Sequence, residues 1–318
     1  MRVGYLSLTT FCPNRCLACP CRHAGATGAK ELDPERIRED VLKAEERGPL
    51  DRVILSGGEP TFHGRFLEVM AFLASRSFPV SLTTTSERFS DPDFLRRTLD
   101  AFPAKRLSVT TAFHSFDPKV HDAMTRTPGS LRRWKAGLLA TEAAGVATTL
   151  KHLLSRPTIE ALPSFVEAFY REFAPSTGLY LCSMDFSGSA AANREKVYLP
   201  FAEIRRWLEP ALDLVRERRA AGDARPVWVL DLPLCATGEA YHGFFPDGRR
   251  QSDAPVFYDA PDLEEVRFSD SLAPQRTVPG DVCAPCRLKD RCRGTWASAT
   301  DRHPASDYRP FPEGPAHG

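Results

Sequence analysis

The chain has 318 residues, 42% hydrophobic and 26% charged, so it is long enough for one large domain and a small one. Its 42 lysines and arginines nearly balance 41 aspartates and glutamates, which argues against binding to nucleic acid or to an anionic membrane. No apolar run approaches the roughly 20 residues of a spanning helix, and the N-terminus lacks a signal-peptide pattern. We therefore expect a cytoplasmic protein whose thiols stay reduced.

The first two-thirds of the chain alternates short apolar runs with amphipathic helical stretches. Such alternation predicts parallel strands joined by crossover helices. The predicted strands cover residues 3–8, 52–56, 80–85, 106–112, 146–154 and 179–186. Because these units are fewer than the eight of a closed barrel, we predict an α/β fold with a partial, open (β/α)6 barrel.

Beyond about residue 200 the pattern changes. A long helix is predicted over 201–219, interrupted at Pro210, and a strand over 227–232. The remainder is rich in Pro, Gly and Asp and offers little apolar surface, so a bound metal cluster would explain how it stays ordered. We therefore predict a core domain over 1–222 and a small, loop-rich iron–sulfur domain over 223–318.

Two compact groups contain seven of the nine cysteines, which in a reducing compartment favours metal or iron–sulfur ligands over disulfides. Cys12, Cys16 and Cys19 directly follow the first strand. Three thiolates leave one iron of a four-iron cluster open to a small molecule, as a catalytic centre requires. We interpret Cys21 as a bystander. A zinc site is the alternative, although structural zinc usually takes four ligands in C-x2-C pairs.

The C-x3-C-x2-C spacing after the first strand resembles the signature of the radical S-adenosylmethionine (SAM) superfamily. The second strand runs into Gly57, Gly58, Glu59 and Pro60, which is similar to the G-G-E-P motif of that family. There the strand end and the Glu hold the amino group of SAM. Glycines let a backbone approach a ligand closely, and a carboxylate pairs with an ammonium.

This resemblance implies a function for the first cysteine group. A [4Fe–4S] cluster on Cys12, Cys16 and Cys19 would cleave SAM reductively to a 5′-deoxyadenosyl radical, which abstracts hydrogen from a substrate C–H bond. The low-potential electron would come from a donor such as flavodoxin or ferredoxin.

Weaker matches point to the peptide-modifying branch of the family. Residues 121–133 resemble its H-D…R…G-S-F-x-R stretch, and residues 84–86 stand where many members have T-N-G. The resemblance implies that Thr111 contacts the SAM ribose and Arg133 the SAM carboxylate. Arg133 can equally be a solvated helix arginine, and His114 either faces the substrate or makes an ordinary loop hydrogen bond.

The second cysteine group, Cys283, Cys286 and Cys292, resembles part of the SPASM domain, which carries auxiliary [4Fe–4S] clusters. The full pattern has seven cysteines, and this chain has ligands for one cluster, as in the shortened form called a twitch domain. The resemblance implies a second [4Fe–4S] cluster with Cys235 as the fourth ligand. A structural zinc on the same four cysteines, or a Cys235 that is only buried, is the alternative. Cys182, within an apolar strand, is assigned to the core.

Both resemblances favour a ribosomally made peptide as substrate. The chain begins shortly before Cys12, so we expect no winged-helix leader-binding domain, and this keeps a second class open. In that class the enzyme oxidises or rearranges a small molecule such as an aminocyclitol or sugar. A third class is a non-enzymatic zinc or iron–sulfur binding module, against which the Gly57–Gly58 motif counts.

Overall fold

The computed structural model describes residues 2–21, 28–246, 255–268, 276–277, 279–300 and 302–312. Nine strands form one sheet: β1 Val3–Thr9, β2 Arg52–Gly57, β3 Val80–Thr83, β4 Leu107–Ala112, β5 Ala147–Leu153, β6 Gly178–Cys182, β7 Val227–Leu230, β8 Phe257–Asp259 and β9 Arg267–Phe268. A separate antiparallel pair consists of β10 Arg276–Thr277 and β11 Thr295–Trp296.

Helices follow most strands of the sheet. They are α1 Pro34–Glu46, α2 Phe66–Ala74, α3 Pro92–Ala101, α4 Pro118–Thr125, α5 Ser130–Ala143, α6 Leu162–Glu172, α7 Gly188–Ala192, α8 Arg194–Val197, α9 Phe201–Ala220, α10 Gly280–Cys283 and α11 Ala297–Thr300. Within the described ranges, no helix combines the length and the hydrophobicity needed to cross a bilayer.

The strand order in the sheet is β7-β6-β5-β4-β3-β2-β1-β8-β9. The first seven strands are parallel neighbours in chain order, β8 runs parallel to β1, and β9 is antiparallel to β8. Because β7 and β9 are the two edges, the sheet is not closed. The predicted α/β fold with a partial, open barrel is confirmed.

The two faces of the sheet differ in burial. Along β4, Val109 is fully buried beneath the helices, whereas Ser108 and Thr110 are only half-buried on the opposite face. On that second, concave face the hydroxyls of Ser81 and Ser108 hydrogen-bond across neighbouring strands at 2.8 Å. The concave face is therefore polar and partly accessible, as a barrel that receives ligands requires.

Several local predictions differ from the structure. The helix α9 is not interrupted, because Pro210 lies inside it. Its buried face continues on both sides of the proline, with Leu208 before it and Leu212 after it, and this packing offsets the lost backbone hydrogen bond.

Three strands are shorter than predicted. The third strand ends at Thr83 rather than at residue 85, because the next residues turn into the site described below. The sixth strand ends at Cys182 rather than at residue 186, and the strand predicted over 227–232 ends at Leu230.

The predicted division of the chain at residues 222/223 falls between α9 and β7. β7 pairs with β6, and β8 pairs with β1, so the segment beyond residue 222 adds strands to both sides of the sheet. The division into two domains stays a prediction.

Candidate active site

The loop that follows β1 is joined to the end of β2 by backbone contacts. The Gly58 amide donates to the Thr9 carbonyl at 2.6 Å, and the Glu59 amide donates to the Phe11 carbonyl at 2.7 Å. A Cβ atom on Gly58 would lie 2.0 Å from the Phe11 carbonyl oxygen, so only glycine fits there. Gly57 has a φ of 118°, which also favours glycine. The G-G-E-P segment therefore sets the position of the first cysteine.

The far side of the same loop is bound to α4. The Arg15 amide donates to the Thr125 carbonyl at 3.1 Å, and the Leu17 amide donates to the Met124 carbonyl at 2.8 Å. Backbone hydrogen bonds thus hold the loop at both ends.

The three predicted ligands Cys12, Cys16 and Cys19 are half-buried neighbours on this loop. Burial raises the pKa of Cys12 and raises that of Cys16 to about 12. A hydrogen bond with Cys21, followed by burial, raises the pKa of Cys19, and the same bond lowers the pKa of Cys21. Burial thus favours the protonated thiols of Cys12 and Cys16, and a thiol that binds a metal must lose its proton.

Glu59 is fully buried, with 0% of its surface exposed. One carboxylate oxygen accepts the Thr61 amide at 3.2 Å and the hydroxyls of Thr61 and Thr84 at 2.6 and 2.5 Å. The other accepts the Thr85 amide at 2.6 Å. Burial raises the pKa of Glu59, and the four donors oppose that shift. This carboxylate fastens the end of β2 to the end of β3, with Pro60 opening a short 3-10 turn beside it.

Arg133 lies within reach of the cysteine loop. Its side chain is 37% exposed, and its Nε atom is 3.9 Å from a carboxylate oxygen of Glu87. Glu87 in turn accepts the side-chain amide of Asn14, between Cys12 and Cys16, at 3.5 Å. A chain of polar contacts therefore connects Arg133 to the loop.

Thr111 is placed differently from the expectation. Its hydroxyl is fully buried and hydrogen-bonds to that of Ser86, on the helix-covered face of β4. In this arrangement the Thr111 hydroxyl is engaged in a hydrogen bond within the protein. The neighbouring Thr110 is on the concave face. The buried ring of His114 stands beside those of His121 and Trp134, at 5.5 and 6.3 Å between centroids.

The C-terminal cysteines come together with Cys235. Burial raises the pKa of Cys235 to about 11, and Cys283, Cys286 and Cys292 are near enough to raise it further. The Sγ atom of Cys292 accepts the amides of Leu234 at 3.3 Å and of Gly294 at 3.4 Å. The segment around Cys235 and the segment around Cys292 are thus neighbours, although 56 residues separate them in sequence (292 − 235 − 1).

A scan against family models matches residues 6–165, half of the chain, to the radical SAM superfamily. The chain belongs to the radical SAM superfamily. Membership implies a four-iron cluster and SAM, and the loop after β1 fits them with three thiol donors and a preformed neighbouring strand end.

Individual proteins similar to this chain agree with the superfamily. Over 222 residues, 67% of each protein, the chain is 26% identical to a probable GTP 3′,8-cyclase of Thermococcus kodakarensis. Its fold is similar to that of SuiB of Streptococcus suis bound to S-adenosylmethionine, with a TM-score of 0.63 and 12% identity. The match covers 97% of this chain and 76% of the SuiB chain. The fold is also similar to that of anSMEcpe with bound AdoMet, with a TM-score of 0.69 and 12% identity. This match covers 96% of this chain and 92% of the anSMEcpe chain. Other structures of SuiB and anSMEcpe contain a bound peptide.

The sequence analysis does not predict the contacts around Glu59. Residues 84–86 stand where many members have T-N-G, and in the structure both Thr84 and Thr85 bond to the Glu59 carboxylate. Within residues 121–133, the carboxylate of Asp122 accepts the Gly129 and Leu131 amides and so caps α5. A polar run directly after a buried strand was the available signal for the two threonines.

Proposed function

We propose that this radical SAM protein holds its catalytic [4Fe–4S] cluster on Cys12, Cys16 and Cys19 and abstracts hydrogen from a peptide substrate. The observation that carries the proposal is the backbone junction between the cysteine loop and Gly58, which puts three thiols beside a strand end suited to an amino acid ligand. When bound, the cluster supplies the electron that cleaves SAM reductively to a 5′-deoxyadenosyl radical.

The residues of the chain bind and orient SAM. The strand end formed by Gly57, Gly58, Glu59 and Pro60 receives the SAM amino group, and the buried charge of Glu59 stabilises the ammonium. Arg133 binds the SAM carboxylate, which its link to the cysteine loop through Glu87 supports. The ribose contact implied for Thr111 stays a prediction, and the bond of its buried hydroxyl to Ser86 counts against it.

A second [4Fe–4S] cluster is proposed on Cys235, Cys283, Cys286 and Cys292, in a shortened, twitch-like SPASM domain. The adjacency of the four thiols supports it. The cluster would brace residues 279–300, where the described helices and strands are all short.

A peptide is the proposed substrate because solved structures with a similar fold contain bound peptides. A small molecule is the second candidate, and the 26% identity to a probable GTP 3′,8-cyclase favours it. A low-potential donor such as flavodoxin or ferredoxin is proposed to deliver the electron.

Anaerobic reconstitution tests the proposal. The protein should bind about eight irons, as two four-iron clusters, and convert SAM to 5′-deoxyadenosine and methionine when reduced with dithionite. About four irons, with zinc making up the rest, would contradict the auxiliary cluster alone. Iron-loaded protein that leaves SAM intact would contradict the function.

A further inference from the structure

A cavity of about 300 Å³ lies between the ends of β6 and β7 and the segment that carries Cys292. Tyr180, Trp228 and Leu230 line it from the sheet, and Arg291 and Arg293 line it from the cysteine segment. Its size suits one or two amino acid side chains, at the lower end of ligand pockets.

The floor of the cavity is aromatic. Tyr180 and Trp228 are direct neighbours across β6 and β7. Trp228 is 38% exposed, whereas Val227 and Val229 on the other face of the strand are fully buried in the core. An exposed tryptophan beside a second aromatic ring provides a rigid surface on which an apolar or planar group can pack.

The wall of the cavity is cationic. Arg293 and the carboxylate of Asp231 both line it. Arg291 is exposed at the rim, and within the described residues it forms no ion pair. Arg287, on the same segment but outside the cavity, is paired with Glu239. Among the described residues that line the cavity, two guanidinium groups accompany one carboxylate.

We propose that this cavity binds an acidic residue of the peptide substrate together with its apolar neighbour. The carboxylate pairs with Arg291, and the neighbouring side chain packs on Tyr180 and Trp228. The cavity is at β6 and β7 and the first cysteine group follows β1, so it holds a flanking residue rather than the one that reacts. This inference rests on the proposed peptide substrate.

Two capped tripeptides test the preference on iron-loaded protein: acetyl-Phe-Glu-Gly-amide and acetyl-Phe-Gln-Gly-amide. We expect the glutamate peptide to bind about three- to fivefold more tightly in calorimetric titration, the upper part of the range for an exposed ion pair. Arg291→Gln should remove this preference, and Trp228→Leu should weaken both peptides equally. The matched control Arg287→Gln should change neither the preference for glutamate nor the affinity for the two peptides.

Equal affinity of the wild type for the two peptides would overturn the proposal. So would an equal loss of preference in Arg287→Gln, or inorganic phosphate that binds as tightly as the glutamate peptide, which would indicate a site for free anions. Iron content and SAM cleavage are measured on the same preparations. If the wild type does not bind iron or does not cleave SAM, the proposed function fails. If iron content and SAM cleavage are normal but the two peptides bind equally, only the assignment of the cavity fails.

Discussion

The two cysteine groups are built on very different supports. The first directly follows β1, a strand with partners on both sides, and backbone hydrogen bonds join its loop to β2 and to α4. The second lies on the short helix α10 and on turns, and its connection to the barrel includes Arg205, which donates to the carbonyls of Cys235 and Ala236. From this comparison we expect the sheet to order the first group by itself, whereas the order of the second group would depend on the proposed cluster.

The largest expected effect is on the first group. Changing Cys12, Cys16 and Cys19 together to Ala should abolish SAM cleavage, because the cluster loses every protein ligand. Far-UV circular dichroism should show a folded barrel, since the loop is fixed by backbone bonds that alanine retains. Production of 5′-deoxyadenosine is the measurement.

Cys21→Ala is the control for that experiment. Cys21 bonds to Cys19 but is not a proposed ligand, and a fourth protein ligand would block the iron that SAM must reach. The variant should keep most of the activity. Activity lost as fully as in Cys16→Ala would show that the triad is assigned incorrectly.

Removing the second group should have a smaller, regional effect. Changing Cys283, Cys286 and Cys292 together to Ala should lower the iron content from about eight to about four and leave SAM cleavage largely intact. Because the proposed cluster would brace this region, limited proteolysis of the variant should cut within residues 279–300 while the barrel survives. Unchanged resistance of that segment would show that packing alone orders it.

The open barrel followed from the sequence because apolar runs and helical patterns alternate clearly and a cysteine motif marks the end of the first strand. The pairing of β8 with β1, which joins Phe257 to Gly4, could not be predicted from the sequence. A three-residue strand in a polar segment has too little periodicity to detect. The same limit applies to the site. Motifs located the cysteines and Glu59, but the use of Thr111 inside the fold depends on which face of β4 it occupies.

Substitutions at Glu59 and Thr84 separate the effect of the Glu59 charge from the effect of the hydrogen bonds that hold its carboxylate. Glu59→Gln keeps the shape and removes the charge, so SAM should bind roughly ten- to hundredfold more weakly, with the cluster absorbance retained. Thr84→Val keeps the charge and removes one of the donors to Glu59, so it should weaken SAM binding roughly fivefold. Equilibrium binding of SAM is the readout.

Two results would change this assignment. Unchanged SAM affinity in Glu59→Gln would refute a role for the charge. Loss of the cluster from Glu59→Gln would show that the carboxylate mainly supports the cysteine loop, which its contacts with Thr61 and Thr85 would then explain.

The smallest expected effect concerns Asp122, on the helix that supports the far side of the first loop. Its carboxylate accepts the Gly129 and Leu131 amides and the Ser130 hydroxyl. Burial alone would raise the pKa of Asp122, but these bonds lower it below the ordinary 3.8. Its contribution to stability is therefore present above that value and is lost as the pH falls through the lower, folded-state pKa.

Asp122→Ala should lower the free energy of unfolding by about 1–3 kcal/mol, because it leaves the start of α5 without its cap. Asp117→Ala is the matched control: Asp117 caps α4 through a single exposed bond to the Lys119 amide, so the loss should be smaller. Urea unfolding of iron-loaded protein is the measurement, and SAM affinity should not change. If Asp122→Ala weakened SAM binding as much as Glu59→Gln, the loop after β1 would depend on α4 for its geometry, and the contrast between the two cysteine groups would be one of degree.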